Sequence, residues 1–201
     1  MTSKRGVDRA AALEFLRKLG ALFARPGRLF LVGETSQVLE GWRVRTERLE
    51  FAAGVAAEDR GAFAAALGQL RSQMGIELYE ESPAHVIPLP AGHADRARPV
   101  ADAQAGALQV YHFDPYSVAF RLIARGDEPD YHAVLAYLRH GWLKVEEMNT
   151  LLGDLLPRFT SETIQQDPAE FRRKFRGLLQ MWRAQAGPQT ADRRPPPTAD
   201  T

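Results

Sequence analysis

The sequence predicts an α+β protein, a small mixed sheet with flanking helices followed by a helical C-terminal lobe. Three observations carry this. Up to Phe113, short runs that read as strands are interleaved with stretches of helical period. After Asp114 only helical patterns follow. Glycine or proline marks most of the transitions. The division implied is an α/β domain over 1–113, a helical lobe over 114–187 and a disordered tail over 188–201.

Residues 8–24 place Ala12, Phe15, Leu16, Leu19, Leu22 and Phe23 at helical spacing, and Pro26-Gly27 stops that helix. Leu29 to Val32 is an apolar strand ending at Gly33. The small polar turn Glu34-Thr35-Ser36 leads into a short helix over Val38 and Leu39, closed near Gly41. The run from Arg43 to Phe51 reads as the next strand. Phe63, Leu67, Leu70 and Met74 mark a helix over 57–74 ended by Gly75, and Ile76–Tyr79 alternates like a strand. Three prolines between 83 and 90 exclude a regular helix, so 81–106 reads as a long loop with an irregular edge strand at His85–Leu89. Leu108–Phe113 is the last strand.

Asp114-Pro115 is a helix start, because Asp accepts from the first free amides and Pro suits the first helical position. Gly126 ends that helix near Ala124, a second runs from Pro129 to Leu138 with Gly141 as its stop, and Leu143–Leu156 is a third. Asp167-Pro168-Ala169-Glu170 combines an N-cap, a proline and a capping-box glutamate. Phe171, Phe175, Leu178, Leu179 and Trp182 form the stripe of the helix that follows. From 188 onward the polar, proline-rich chain has nothing to bury.

Composition bounds the function. The chain has 201 residues, 45% of them hydrophobic, enough for a core of its own. A formal net charge of +1 supplies no global drive toward nucleic acid or anionic lipid. The absence of cysteine excludes thiol chemistry, disulfides and cysteine-based metal sites. No apolar run reaches the roughly 18 residues of a membrane span. The N-terminus, MTSKRGVDRA, lacks the apolar segment of a secretory signal. The expectation is a cytoplasmic protein with no membrane partner.

The stretch RLFLVGETSQVLEGWRVRTERLEF, Arg28 to Phe51, carries the pattern strand, tight turn, short helix, strand. Two-metal nucleotidyl transfer needs carboxylates two residues apart on one strand face, and a glycine-serine turn whose amides approach phosphates. Here Leu31-Val32-Gly33 ends the strand, Arg45-Thr46 precedes the position of the acids, and position 48 falls fifteen residues after Gly33. Ile87-Pro88-Leu89-Pro90, Asp114-Pro115-Tyr116 and Arg125-Gly126 with Asp130 continue the likeness, which covers about 10–156. The chain resembles the polymerase-beta-type nucleotidyltransferase superfamily. It is most similar to the bacterial nucleotidyltransferase-like group related to abortive-infection toxin nucleotidyltransferases.

That resemblance implies a nucleotidyltransferase-like fold and a cleft built from Gly33, Glu34, Thr35, Ser36, Arg45, Thr46, Arg48 and Glu50. The departures are where the chemistry should be. The second glycine of the turn is Glu34, the first metal-binding aspartate is Arg48, and the second is Glu50. A lysine of the later helix falls on Leu122, and a later acid on Ala133. Arg48 sets a fixed positive charge where a divalent cation would sit, a repulsion of several kcal/mol at about 4 Å. The expectation is a catalytically degenerate protein with no intact catalytic residue and no cofactor. It would bind a nucleotide, an RNA or a protein partner, and membership in a toxin–antitoxin or stress system follows from the resemblance alone. The rival is an active enzyme with magnesium held by Glu50 and either Asp114 or Glu77. A third reading is a structural partner subunit that docks through its last helix.

Each candidate has a plainer alternative. Glu34, Arg48 and Glu50 are either a salt-bridge cluster replacing the metal site or a retained polar pocket. Asp114 is an N-cap or a third carboxylate. Histidines 85, 93, 112, 132 and 140 show no ligand spacing and read as loop or core residues. Arg43, Arg45, Arg48, Arg96 and Arg98, extended by Arg121 and Arg125, are a basic groove for RNA or a solvated surface. Trp42 and Trp142 read as core or lobe-packing residues.

Overall fold

The structure, a computed structural model, describes residues 6–160 and 166–186. The expected disordered tail, 188–201, lies outside the described residues. Among the described residues the fold is α+β: a five-stranded mixed sheet, a two-stranded antiparallel ribbon and seven α-helices, with helical elements alone after Asp114.

The first half runs β1 (Val7–Asp8), α1 (Arg9–Phe23), β2 (Gly27–Leu31), α2 (Glu34–Leu39), β3 (Arg45–Thr46), β4 (Arg48–Gly54), α3 (Arg60–Met74), β5 (Glu77–Glu80), β6 (Arg98–Pro99) and β7 (Leu108–His112). The strand expected over Arg43–Phe51 is split. Thr46 and Arg45 leave the main sheet to pair with Val7 and Asp8, and β4 continues to Gly54. A two-residue ribbon has no period to read, so β1 and β3 left no trace in the pattern.

The main sheet has the order β5-β4-β2-β7-β6. β2 is antiparallel to β4 and parallel to β7, β5 is parallel to β4, and β6 is antiparallel to β7. Alternation along the strands gives each face its own job. Leu29, Leu31, Leu49, Phe51, Leu108 and Val110 point into a core completed by Phe15, Leu16, Leu19 and Phe23 of α1 and Phe63, Ala66 and Leu70 of α3. Burying each of these larger side chains contributes about 1.5–3 kcal/mol. Gly20 lets α1 close on the loop at Ala105, since a Cβ there would stand 2.1 Å from the Ala105 carbonyl oxygen. Residues of the other parity (Arg48, Glu50, Ala52 and Phe30) face the opposite side, where the clefts described below open.

The edge strand expected at His85–Leu89 is absent. Pro83–His85 form a single 3-10 turn capped by the Ser82 hydroxyl, which accepts from Ala84 N, and Ile87 turns inward to full burial. The amides of His85, Val86 and Ile87 donate back to the Ser82 and Pro83 carbonyls and not to a strand, and the edge is formed instead by Arg98 and Pro99 against β7.

The second half holds α4 (Pro115–Arg125), α5 (Glu128–Arg139), α6 (Val145–Leu155) and α7 (Pro168–Ala186). Asp114 caps α4 by accepting from Tyr116 N and Ser117 N, as its sequence context predicts. These helices share a second core, in which Phe120 meets Phe171 and Phe175, and Val32 and Ile87 join it from the first half. Trp42, Trp142 and Trp182 are half-buried against it. No helix of the described residues is long and apolar enough to cross a membrane.

Candidate functional site

The cleft is built on the turn between β2 and α2. Gly33 adopts φ 57° and ψ −128°, a conformation that side chains other than glycine's rarely enter. A Cβ at Gly33 would also come within 3.1 Å of Glu50 Oε2. The turn is clamped from both sides. Val32 N donates to the Glu50 carbonyl at 3.0 Å, and the buried Tyr137 hydroxyl of α5 donates to the Gly33 carbonyl at 3.0 Å. Burial also pushes the Tyr137 phenol well above its ordinary range, so it acts as a neutral donor.

Thr35 and Ser36 lie beneath the cleft, each about 1% exposed. Thr35 Oγ1 accepts from Glu50 N at 2.7 Å, and Ser36 Oγ donates to the Leu31 carbonyl at 3.2 Å. Both hydroxyls fasten α2 to the sheet through the backbone, and Ser36 also meets the Tyr137 hydroxyl.

Glu34 points back across the turn. Its Oε1 pairs with Arg43 Nη2 at 3.0 Å, and its Oε2 lies 3.0 Å from Thr46 Oγ1. That hydroxyl is also 3.1 Å from the Arg48 carbonyl, and its single proton serves one acceptor at a time. Arg48 and Glu50 face the same side of β4, the arrangement the two-residue spacing predicts. Arg48 donates from Nε and Nη2 to Glu50 Oε1 at 2.9 and 2.8 Å, with its guanidinium over the Tyr79 ring at 4.5 Å. Burial opposes the Arg48 charge, but the Glu50 hydrogen bonds and charge outweigh it and raise its pKa.

The other oxygen of Glu50 faces Arg121. Arg121 Nη1 stands 3.4 Å from Glu50 Oε2, and its Nη2 pairs with Glu81. Arg121 is wholly buried, so it does not extend a surface groove with Arg125. Arg125 pairs instead with Asp130, whose hydrogen bond raises the arginine's pKa against the effect of burial.

These residues surround a cavity of about 410 Å³ between the sheet face and α5. Gly33, Glu34, Thr46, Arg48 and Glu50 meet there as the sequence pattern implies, and Leu122 and Ala133 line it too. Arg45 does not; it sits exposed on β3. The salt-bridge cluster forms with a different pairing from the expected triad, because Glu34 takes Arg43 while Arg48 and Arg121 share Glu50. Five carboxylates (Glu34, Glu47, Glu50, Asp127 and Asp130) face three guanidinium groups (Arg43, Arg48 and Arg125) around the wall.

Asp114 lies elsewhere. Its carboxylate takes Arg96 Nε and Nη2 at 2.8 and 3.1 Å, Ser117 Oγ at 2.7 Å and the α4 amides, so it has no capacity left for a cation. Glu77 is paired in register with Arg48, one step from Glu50. The carboxylate that converges with Glu50 is Glu81, which sequence reasoning missed. Its parity with Glu77 and Tyr79 on β5 is the signal that could have found it.

A two-ion site needs carboxylates free to bridge cations about 4 Å apart. Glu50 has one guanidinium on each oxygen, and among the described residues no group of three or more carboxylates or histidines could hold a metal ion. The donor set does not fit a magnesium pair. No family model matches the chain, and no curated protein or solved structure matches it.

Proposed function

We propose that this chain is a nucleotidyltransferase-like module whose cleft has lost metal-dependent transfer and which acts by binding. The reading rests on the resemblance in the β2–β4 segment, and one observation carries the loss of chemistry. Arg48 and Arg121 occupy the two oxygens of Glu50, the acid standing where the family's second metal ligand would be. Two fixed positive charges there oppose a divalent ion, and Glu34 opposes a triphosphate at the turn.

Of the three partner classes the resemblance allows, the cleft favours protein. A nucleotide or an RNA needs free cationic groups, yet Arg43, Arg48 and Arg125 are each committed to a carboxylate. Arg96 is bound to Asp114, and Arg98 lies over the Trp142 ring at 4.6 Å. The surplus carboxylates, Glu47 and Asp127, suit a partner presenting lysine or arginine at the cleft mouth. A place in a toxin–antitoxin or stress system fits such a module.

The test is a labelled-nucleotide transfer assay over the four triphosphates with magnesium or manganese, on RNA and protein acceptors. The expected result is no transfer above the protein-free control. Transfer that disappears in a Glu50→Ala variant would overturn the proposal and restore the active enzyme.

A further inference from the structure

A second cavity opens on the same sheet face, two residues farther along β4, and none of the cleft chemistry reaches it. Its volume is about 460 Å³, within the range of sites that enclose a small organic molecule. Phe30, Tyr111 and Phe113 form an aromatic wall. Phe30 lies near-parallel to Tyr111 (5.7 Å, 27°) and edge-on to Phe113 (5.7 Å, 68°). Ala52 and Gly54 make the floor, and their small size, a methyl at 52 and a hydrogen at 54, leaves the strand surface open beside the Phe30 ring. A Cβ at Gly54 would meet nothing closer than 3.8 Å. Leu89, Ala94 and Ala97 close the opposite side from the proline-bearing loop. An aromatic wall over a floor of small residues is the shape that accepts a flat ring.

The charge at the rim is unbalanced. Arg28, the first side chain on this face of β2, is exposed and has no ion pair among the described residues. This distinguishes it from the arginines of the cleft, each of which has a carboxylate. His93 also lines the cavity. Its Nδ1 donates to the Pro90 carbonyl at 3.2 Å. The acid in the wall, Asp114, is consumed by Arg96, Ser117 and the α4 amides. A free guanidinium beside an apolar slot selects a carboxylate, sulfonate or phosphate on the ligand's edge.

We infer that this cavity is a binding site for a small planar aromatic anion, with the ring against Phe30 and Tyr111 and the acidic group on Arg28. The inference rests on the sheet face alone and stands whether or not the neighbouring cleft has lost catalysis.

Two dyes that share a naphthalene frame separate the two halves of this recognition. 8-Anilino-1-naphthalenesulfonate carries the anion; N-phenyl-1-naphthylamine does not. Titrated into the full chain, both should show saturable fluorescence with one site per chain. Arg28→Glu should weaken the sulfonate dye by about ten-fold or more and leave the neutral dye within about two-fold. Gly54→Leu, which fills the slot, should weaken both dyes by about ten-fold, and Ala94→Leu tests the same filling from the loop side. An Arg48→Glu variant in the cleft should leave both unchanged. The inference fails if neither dye saturates, if Arg28→Glu affects both dyes equally, or if both slot-filling variants bind as the parent does. It also fails if dye binding tracks a change in oligomeric state, which would assign the face to a second copy of the chain.

Discussion

Arg121 holds Glu50 and Glu81 together: its Nη1 lies 3.4 Å from Glu50 Oε2 and its Nη2 pairs with Glu81, while none of its own surface reaches solvent. The two acids come from neighbouring strands, β4 and the residue just past β5, where Glu81 N donates to the Phe51 carbonyl at 2.9 Å. One guanidinium from α4 thus bridges the sheet to the helical lobe. Its Nε has no hydrogen-bond partner among the described residues.

Replacing Arg121 with methionine keeps most of the volume, strips Glu81 of its cation and leaves Glu50 with Arg48 alone. Breaking a buried pair in this way costs about 3–5 kcal/mol. Urea unfolding of Arg121→Met should show a loss of that order, and adding Glu81→Gln should recover part of it. A loss below about 1 kcal/mol would mean that Arg121 contributes packing only.

Gly33→Ala should be costly for two independent reasons. The backbone at φ 57° and ψ −128° disfavours a Cβ, and the added carbon would crowd Glu50 Oε2 at 3.1 Å. The expected loss in chemical denaturation is about 2 kcal/mol. Gly61→Ala, on the exposed start of α3 with open space around it, provides the contrast and should be neutral or mildly stabilising.

These residues also show how far the sequence could be read. The turn at Gly33, the shared face of Arg48 and Glu50 and the cap at Asp114 were all legible, because each follows from spacing along one segment. The partners were not. Glu50 meets Arg121 across 71 positions and Tyr137 meets Gly33 across 104, and no local period encodes such pairs. Arg121 looked like a surface residue because arginine usually is one, and only its acid neighbours make burial tolerable. The edge strand was misplaced for a related reason. A two-residue pairing such as Arg98–Pro99 leaves less pattern than the irregular apolar residues between the prolines.

His112 gives the fold an acid-sensitive point. It is buried beneath Trp142, and burial together with the positive charge of Arg98 pushes its pKa down from 6.5 to about 4. Glu40 Oε1 lies 3.0 Å from Nε2 and would favour protonation, but the contact lacks hydrogen-bond alignment and burial wins. Because the folded pKa lies below the unfolded one, the unfolded chain takes up the proton first as pH falls. The stability tied to neutral His112 is therefore complete above pH 6.5 and lost between 6.5 and about 4, a change of roughly 3 kcal/mol. His112→Phe should flatten this part of the curve when urea midpoints are compared at about pH 7 and about pH 4.5. Parallel curves for the two proteins would show that His112 is not held neutral.

If Arg48 and Arg121 exclude metal by their position alone, removing them stepwise should admit one. Arg48→Asp places a carboxylate beside Glu50 on the same face of β4 and frees Glu50 Oε1 from the Nε and Nη2 contacts at 2.9 and 2.8 Å. Two unit charges at 4 Å interact by about 4 kcal/mol at an effective dielectric near 20. Arg48 is 38% exposed in its side chain, so solvent screens much of that. A gain of about ten-fold in manganese affinity over the parent, equivalent to about 1.4 kcal/mol, is therefore the conservative expectation. Glu50 Oε2 would still face Arg121, so adding Arg121→Gln should tighten binding by about another ten-fold. Calorimetric titration reads both steps, and a rise in the unfolding midpoint with added manganese checks that the folded form is the one that binds. Should neither variant gain affinity, the cleft is not a metal site with its charges reversed, and the likeness to a nucleotidyltransferase loses its chemical support.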